Sequence, residues 1–346
     1  MFDIWRLPVV KLCFICTLAT LAVVGIWALN APFAIDASSF KAPAILLPVY
    51  VAFMFGAWAV YQRLADDTSR PARLIKFIAS RFYDHAAVFV FMLSYAPVAV
   101  LFSYLTMSAG FPMQDSLYAN IDAALGFNWD ALLLFVNAHP SLGWFLTTIY
   151  ISGAAQMGAV FVLLVAVGRV VELWDFVALL MLGSIGTIII SGLMPAVAPY
   201  TYYGVDPSHF AALERAWPGV GRWHVDDVLA LHSGLYSSFS FGRNHGLVTF
   251  PSYHTYSAIV LVYGVRNFKW LFWPMAALSS AVVVSTLPIG GHYLADVIGG
   301  AMLAVASIAL IEWLNGRPSM WSRALPHIRS VASLGAPPVT QPAGSI

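Results

Sequence analysis

Two histidines and one aspartate carry the strongest chemical signal in the sequence. His254 stands in the segment Thr-Phe-Pro-Ser-Tyr-His, and His292 follows a Gly-Gly pair and precedes Asp296 by four positions. Because positions i and i+4 share one face of a helix, the spacing predicts that Asp296 orients one nitrogen of His292 and makes the other more basic. A nucleophile oriented by a neighbouring group is the general arrangement of covalent catalysis, so the pair indicates a nucleophilic histidine.

The residues around these histidines suit an anionic ligand. Ser252 follows a proline and is predicted to cap a helix that begins with Tyr253 and His254. The start of a helix exposes backbone N–H groups and a partial positive charge, which favour a phosphate. Gly291 would let a ligand approach the backbone closely. The sequence therefore predicts a phosphate site that includes Ser252, Tyr253 and Gly291.

The composition indicates an integral membrane protein. The chain has 346 residues, of which 60% are hydrophobic and 10% are charged, whereas a soluble domain has about 45–50% apolar and about 25% charged residues. The net charge of +1 gives no support for nucleic-acid binding. Cys13 and Cys16 form a Cys-x-x-Cys pair, but further metal ligands are absent from the sequence around them, so we interpret both as apolar side chains of a helix.

Eight apolar segments are predicted to cross the bilayer, because about 20 apolar residues span its hydrocarbon core as a helix. They cover residues 9–29, 43–62, 86–108, 143–167, 174–194, 252–266, 270–287 and 292–313. A shorter apolar segment, 128–138, is predicted to be an interfacial helix capped by Asn128. The predicted fold class is therefore an all-α membrane bundle of about eight helices.

The positions of Lys and Arg predict the orientation of these segments. With the N-terminus inside, thirteen of the 17 basic residues lie on the inner side, as the positive-inside rule requires. Both termini are then cytoplasmic, and His254 and His292 lie at the outer face beside a long loop, 195–251. Three units are predicted: an N-terminal hairpin with a basic loop (1–85), a catalytic membrane domain (86–316) and a disordered cytoplasmic tail (317–346).

These motifs resemble those of the type 2 phosphatidic acid phosphatase superfamily. That family carries Pro-Ser-Gly-His and, one hairpin later, Ser-Arg-x5-His-x3-Asp. Residues 251–254 match the first motif with Tyr in place of Gly, and residues 285–296 match the second with Thr286 in place of Arg. The resemblance covers about residues 174–313. It looks closest to the branch that includes inositol phosphorylceramide synthases, because the segment Gly-Gly-His-Tyr-Leu-Ala-Asp is typical of that branch.

The resemblance implies a six-helix core and a role for each motif residue. His292 would attack phosphorus and form a phosphohistidine, Asp296 would orient it, and His254 would protonate the leaving oxygen. Ser252 and nearby amides would hold the phosphoryl oxygens. The substrate would be a lipid phosphate or a phospholipid in the bilayer, with no metal and no cofactor. A phosphatase, a head-group transferase and a catalytically silent scaffold or transporter all remain possible, and the oligomeric state is open.

The phosphate-binding cations of the family are not at their usual positions. Residues 63–71 imitate the family's Lys-x6-Arg-Pro motif, but they lie on the predicted inner side and far from residue 251. The segment that occupies the corresponding position, 194–200, has no Lys or Arg. Since Thr286 also replaces an arginine, Arg243 is the best substitute cation on the outer side, and Arg222 is the next.

The orientation predicts opposite accessibility for two engineered cysteines. In a background with Cys13→Ser and Cys16→Ser, an impermeant thiol reagent added to intact cells should label Gly204→Cys and leave Ser69→Cys unlabelled. The basic-residue bias is the physical reason, because it retains the 63–81 segment inside. Labelling of Ser69→Cys with protection of Gly204→Cys would contradict the predicted outer site.

The assignment of Arg243 predicts unequal effects of two arginine substitutions. Arg243→Ala should lower kcat/KM on lipid phosphates much more than Arg215→Ala, and Arg243→Lys should restore only part of the loss, because a guanidinium binds phosphoryl oxygens in a bidentate manner. The three variants are compared in one assay. Small and equal losses for both alanine variants would mean that Arg243 is a solvated loop charge.

Overall fold

The computed structural model describes residues 4–241 and 245–317, and nearly all regular structure in these ranges is helical. Its helices are α1 (Pro8–Ala28), α2 (Lys41–Arg63), α3 (Arg70–Met107), α4 (Asp115–Ala124), α5 (Trp129–Ala138), α6 (Pro140–Ile151), α7 (Gly153–Val167), α8 (Val170–Leu193), α9 (Pro199–Tyr202), α10 (Ala211–Ala216), α11 (Val225–His232), α12 (Tyr253–Gly264), α13 (Lys269–Thr286) and α14 (Leu294–Leu314). Short 3-10 helices cover Ile4–Arg6, Ala37–Phe40 and Pro207–Phe210. A parallel pairing of two residues joins β1 (Ala34–Ile35) to β2 (Ser238–Phe239).

The all-helical membrane class is confirmed, but the lengths of the helices differ from the predicted spans. Five helices in the described ranges are long and apolar enough to cross a membrane, namely α1, α2, α3, α8 and α14, and the pair α5–α6, bent by 110°, would make a sixth. The predicted span 143–167 is divided at Ser152 into α6 and α7. The predicted span 252–266 is a helix of 12 residues, which rises about 18 Å and is shorter than the hydrocarbon core.

The expected units and caps are only partly visible in these ranges. α3 runs without a break from Arg70 to Met107 and so includes the expected unit boundary at residues 85 and 86. Apart from Arg317, the expected tail lies outside the described residues. The cap expected for the segment 128–138 is confirmed, since the side chain of Asn128 accepts a hydrogen bond from the N–H of Ala131 at 2.9 Å.

Helix α8 lies at the centre of the bundle and packs against α3, α12 and α14. A close approach to α12 is possible because Gly183 has no side chain: a Cβ there would lie 2.1 Å from the ring of Tyr256. The hydroxyl of Tyr256 donates to the carbonyl of Leu179 at 2.6 Å. The two helices are therefore joined by a close backbone contact and a buried hydrogen bond.

One end of the bundle is closed by an ion cluster around Asp175. This fully buried carboxylate, in the first turns of α8, pairs with Arg266 after α12 and with Arg317 after α14. The side chain of Asn315 donates to the same carboxylate at 2.9 Å. A buried charge needs such partners, and here the partners fix three helix ends to one another.

The other end of the bundle is held by two carboxylates of α4. Asp122 is fully buried and accepts the N–H groups of Leu294 and Ala295, each at 2.9 Å. Asp115 accepts the N–H of Val197 at 3.0 Å and the hydroxyl of Tyr293 at 2.9 Å. The first N–H groups of a helix have no partner within the helix, and an acidic group satisfies them and the helix dipole. The position of the start of α14 therefore depends on α4.

Replacing one of these carboxylates should destabilise the protein. Asp122→Asn keeps the volume but places an NH2 group against a backbone N–H, so we expect the free energy of unfolding to fall by about 1–3 kcal/mol. The matched control is Asp130→Asn, whose carboxylate is 46% exposed and contacts His209, because exposed pairs contribute about 0–1 kcal/mol. Thermal unfolding in detergent measures both. Equal shifts for the two variants would contradict the proposed role of Asp122.

Candidate active site

A cavity of about 500 Å³ lies at the end of the bundle where α12 and α14 begin. Its wall is formed by α3, α6, α8 and α12, by two segments of the long loop and by the turn before α14. The titratable side chains in the wall are those of Tyr150, His224, His245, Tyr253, His254 and His292. The two histidines of the sequence motifs therefore face the same space.

His292 and Asp296 are in contact, but not as residues on one face of a helix. His292 lies in the turn before Leu294, the first residue of α14, so the expected helical spacing was wrong for this histidine. The carboxylate of Asp296, in the first turn, reaches back to Nδ1 of His292 at 3.1 Å and to the N–H of Tyr293 at 2.9 Å. The contact forms because an acidic residue in the first turn accepts N–H groups that precede the helix.

The surroundings of His292 fix the ring and keep it neutral. Only 3% of the residue is exposed, and the indole N–H of Trp129 donates to its carbonyl at 3.2 Å. Burial lowers the pKa of His292 to about 4, and a hydrogen bond with the Thr249 backbone opposes this only in part. With Nδ1–H donated to Asp296, a neutral imidazole has its lone pair on Nε2. In that tautomer Nε2 can act as a nucleophile.

His254 lies across the cavity from His292, with the two ring centroids 6.0 Å apart. Its ring stacks on Tyr150 of α6 at 4.4 Å, and the Tyr150 hydroxyl lies 3.4 Å from Nδ1. The sequence reasoning missed Tyr150, which is 104 positions away from His254. The contact depends on the bend between α5 and α6, which brings the tyrosine to the site. For that reason the residues next to Tyr150 in the sequence give no sign of it.

Of the residues expected to bind phosphate, some line the cavity and others are buried away from it. Ser252 caps α12 as predicted, since its hydroxyl accepts the N–H of Thr255 at 3.3 Å, but it is fully buried and does not line the cavity. Tyr253 lines the cavity, and its hydroxyl donates to the carbonyl of Leu180 at 3.2 Å. Gly291 has a φ of +67°, and a Cβ there would lie 2.5 Å from the carbonyl oxygen of Gly221. The glycine is thus required by packing against the long loop.

The expected cations are not found in the described part of the cavity wall. Arg243 lies outside the described residues. Arg222 pairs with Glu214 at 2.8 Å and lies over the ring of Phe210 at 4.9 Å. Thr286 is buried, and its hydroxyl donates to its own helix. In the described ranges the wall has imidazoles and hydroxyls but neither Lys nor Arg.

The comparisons with known proteins identify a family for the chain. A family model described as the PAP2 superfamily matches residues 117–310, which is more than half of the chain. The matched range includes both motif histidines, Asp296 and the whole long loop between α8 and α12. No curated protein and no solved structure shows significant similarity to the chain. On the family match, the chain belongs to the PAP2 superfamily, the type 2 phosphatidic acid phosphatase superfamily that its motifs resemble.

Proposed function

We propose that the protein is a lipid-phosphate phosphatase or phosphotransferase that forms a phosphohistidine on His292. One observation carries the proposal: a buried imidazole, oriented through Nδ1 by Asp296, shares a cavity with a second imidazole, that of His254. Family membership supports a phosphatase-type function on lipids. The arrangement has a nucleophile, a group that orients it and a group that can give a proton to a leaving oxygen.

The first step transfers the phosphoryl group to the protein. The Nε2 lone pair of His292 attacks phosphorus, and the bond from phosphorus to the leaving oxygen breaks. His254 is neutral in the empty cavity because of its burial, so it takes up a proton as the substrate phosphate binds; it then gives that proton to the leaving oxygen, and the leaving group departs as an alcohol. The ring of His292 becomes cationic as the P–N bond forms, and Asp296 stabilises that charge through Nδ1–H.

The second step restores both histidines. A water molecule or a second alcohol attacks phosphorus, and neutral His254 accepts its proton. The P–N bond breaks, its electron pair returns to Nε2 of His292, and His254 is protonated again. Charge stabilisation and positioning supply most of the acceleration in phosphoryl transfer, so the groups around the phosphoryl oxygens decide the rate.

A lipid substrate is supported by the apolar part of the cavity wall. Ala99 and Val100 of α3 and Ile188 of α8 line the cavity, and both helices are long and apolar enough to cross a membrane. The phosphoryl group would lie beside the histidines while acyl chains follow these helices.

The mechanism needs no metal, and the described ranges have no group of three or more His, Cys, Asp or Glu suited to hold one.

A head-group transferase of the inositol phosphorylceramide synthase type is the second candidate. Its support is the sequence of the turn, Gly-Gly-His-Tyr, and the replacement of Gly by Tyr253 in the first motif. In such an enzyme the phosphohistidine carries a head-group ester, and the hydroxyl of a second lipid replaces water. A silent scaffold or transporter is less well supported, because His254 and His292 line one cavity and Asp296 contacts His292.

The cavity would open to the outer leaflet of the membrane. Several basic residues lie at the opposite end of the bundle, where Arg266 and Arg317 pair with Asp175 and Arg169 precedes α8. This distribution supports a cytoplasmic position for that end. Both termini would then be cytoplasmic, and the units 1–85 and 86–316 would form the N-terminal hairpin and the catalytic domain.

The covalent mechanism predicts the behaviour of two variants. His292→Ala should abolish turnover and the acid-labile phosphoenzyme, because the attacking nitrogen is gone. Asp296→Asn should lower kcat by about 10²–10⁴-fold, as expected when the group that orients a catalytic histidine is lost. Purified protein in detergent is assayed against a panel of lipid phosphates and phospholipids, with and without a lipid alcohol and with and without a chelator.

The matched control is His209→Ala, a half-buried histidine outside the cavity wall that contacts the exposed Asp130. It should retain wild-type turnover. Near wild-type turnover in His292→Ala would exclude the phosphohistidine, and loss of turnover with a chelator would exclude the metal-free mechanism. Product that appears only with a lipid alcohol would favour the transferase, whereas release of inorganic phosphate would favour the phosphatase.

A further inference from the structure

The cavity lacks a permanent positive charge in its described wall. A phosphate ester brings up to two negative charges, and the family pattern would supply arginines for them. In the described ranges the wall contributes four imidazoles, those of His224, His245, His254 and His292, and no Lys or Arg. The proposed mechanism uses His254 and His292. The two remaining histidines belong to the long loop, and they are the candidates for binding the phosphoryl oxygens.

The loop segment 217–224 is pressed against the turn that carries His292. Gly219 and Gly221 have positive φ angles of +79° and +67°, and a Cβ on Gly221 would lie 2.3 Å from the ring of Tyr200 and 3.3 Å from the Cα of Gly291. Val220, between the two glycines, is fully buried. The backbone of this segment is therefore held at van der Waals distance from the catalytic turn.

The segment ends with His224, whose side chain is oriented before any ligand binds. His224 is 9% exposed and lines the cavity. Its Nε2 lies 3.2 Å from the carbonyl oxygen of Val197, and because a carbonyl only accepts hydrogen bonds, Nε2 carries the hydrogen. Asp115 in turn holds the N–H of Val197. Nδ1 of His224 therefore remains as the nitrogen available to a ligand.

We propose that His224 binds the phosphoryl oxygens of the substrate through Nδ1, and that it does so in the protonated form. The proposal rests on the phosphoryl-transfer function proposed above and adds a phosphate-binding residue to it. The imidazolium donates a charge-assisted hydrogen bond to a phosphoryl oxygen, as an arginine does elsewhere in the family. His245 is the less suitable of the two loop histidines, because it is exposed and its Nδ1 contacts Asp227 at 2.9 Å.

The charge on His224 is expected to appear only with the ligand. Burial lowers the pKa of His224 to about 4, with further lowering by His292 and His245 and an opposing effect of the Val197 carbonyl and of Asp227. Of the other charged groups near the segment, Arg222 is paired with Glu214. The ring is thus neutral in the empty cavity at pH 7. A bound phosphate dianion favours the protonated ring, so phosphate binding should take up a proton.

The test is the binding of inorganic phosphate to the purified full-length chain, measured by titration calorimetry. At pH 7 the wild-type protein should take up more protons on binding than the variant His224→Gln, seen as a stronger dependence of the apparent enthalpy on the ionisation enthalpy of the buffer. His224→Gln keeps the shape and a donor but cannot become a cation, and should bind phosphate about 10- to 100-fold more weakly with less proton uptake. His224→Asn serves as a second variant if His224→Gln does not fold.

The matched control is His232→Gln, a half-buried histidine of α11 whose Nε2 lies 3.0 Å from the carbonyl of Phe111 and which does not line the cavity. Its phosphate affinity and proton uptake should equal those of the wild type. An unchanged phosphate affinity in His224→Gln, or a proton uptake in His224→Gln equal to that of the wild type, would overturn the role of His224. Neither result bears on His292, whose phosphoenzyme is measured separately, so a failure of this inference differs from a failure of the proposed function.

Discussion

The arrangement of the site depends on three buried carboxylates around the start of α14. Asp122 accepts two N–H groups of its first turn, Asp115 holds the hydroxyl of Tyr293, and Asp296 reaches back to His292. A carboxylate within a membrane protein is costly unless it is paired. Hydrogen bonds offset that cost for Asp115 and Asp122, and for Oδ2 of Asp296, whereas Oδ1 of Asp296 has no hydrogen-bond partner among the described residues. The turn that carries His292 cannot shift without breaking one of these hydrogen bonds. The acidic residues of α4 are therefore part of the framework of the site, although they do not line the cavity.

The long loop between α8 and α12 forms a wall of the site through backbone packing. Gly221 lies against Gly291, and the hydroxyl of Tyr200 donates to the carbonyl of Pro288 at 2.6 Å. A side chain at either glycine would separate the two segments. Glycine is therefore required at both positions by the close packing as well as by the positive φ angles. The loop and the turn before α14 are consequently packed as one unit.

The two ends of the bundle carry different kinds of basic side chain. At the end opposite the cavity, Arg266 and Arg317 are permanent cations, and both pair with Asp175. At the cavity end, the described wall has imidazoles, which gain a charge only when the surroundings favour it. A permanent cation without a counter-ion would be costly in a cavity walled by membrane helices. A histidine such as His224 avoids that cost in the empty site and can still supply a charge to a bound anion.

The sequence by itself determined the helical membrane class, the cap at Ser252 and the association of His292 with Asp296. These features follow from composition, from the preference of a serine for the start of a helix and from the spacing of two residues close together in the chain. Only the tertiary structure decided where the bent and broken helices end, and which distant residues meet the site. Asp122 and Tyr150 reach it from helices more than 100 positions away, and neither has a local sequence signal, because each acts through a contact that exists only after the helices pack. Packing also decided the role of the turn: the histidine precedes the helix, and the carboxylate binds it as a helix-start acceptor.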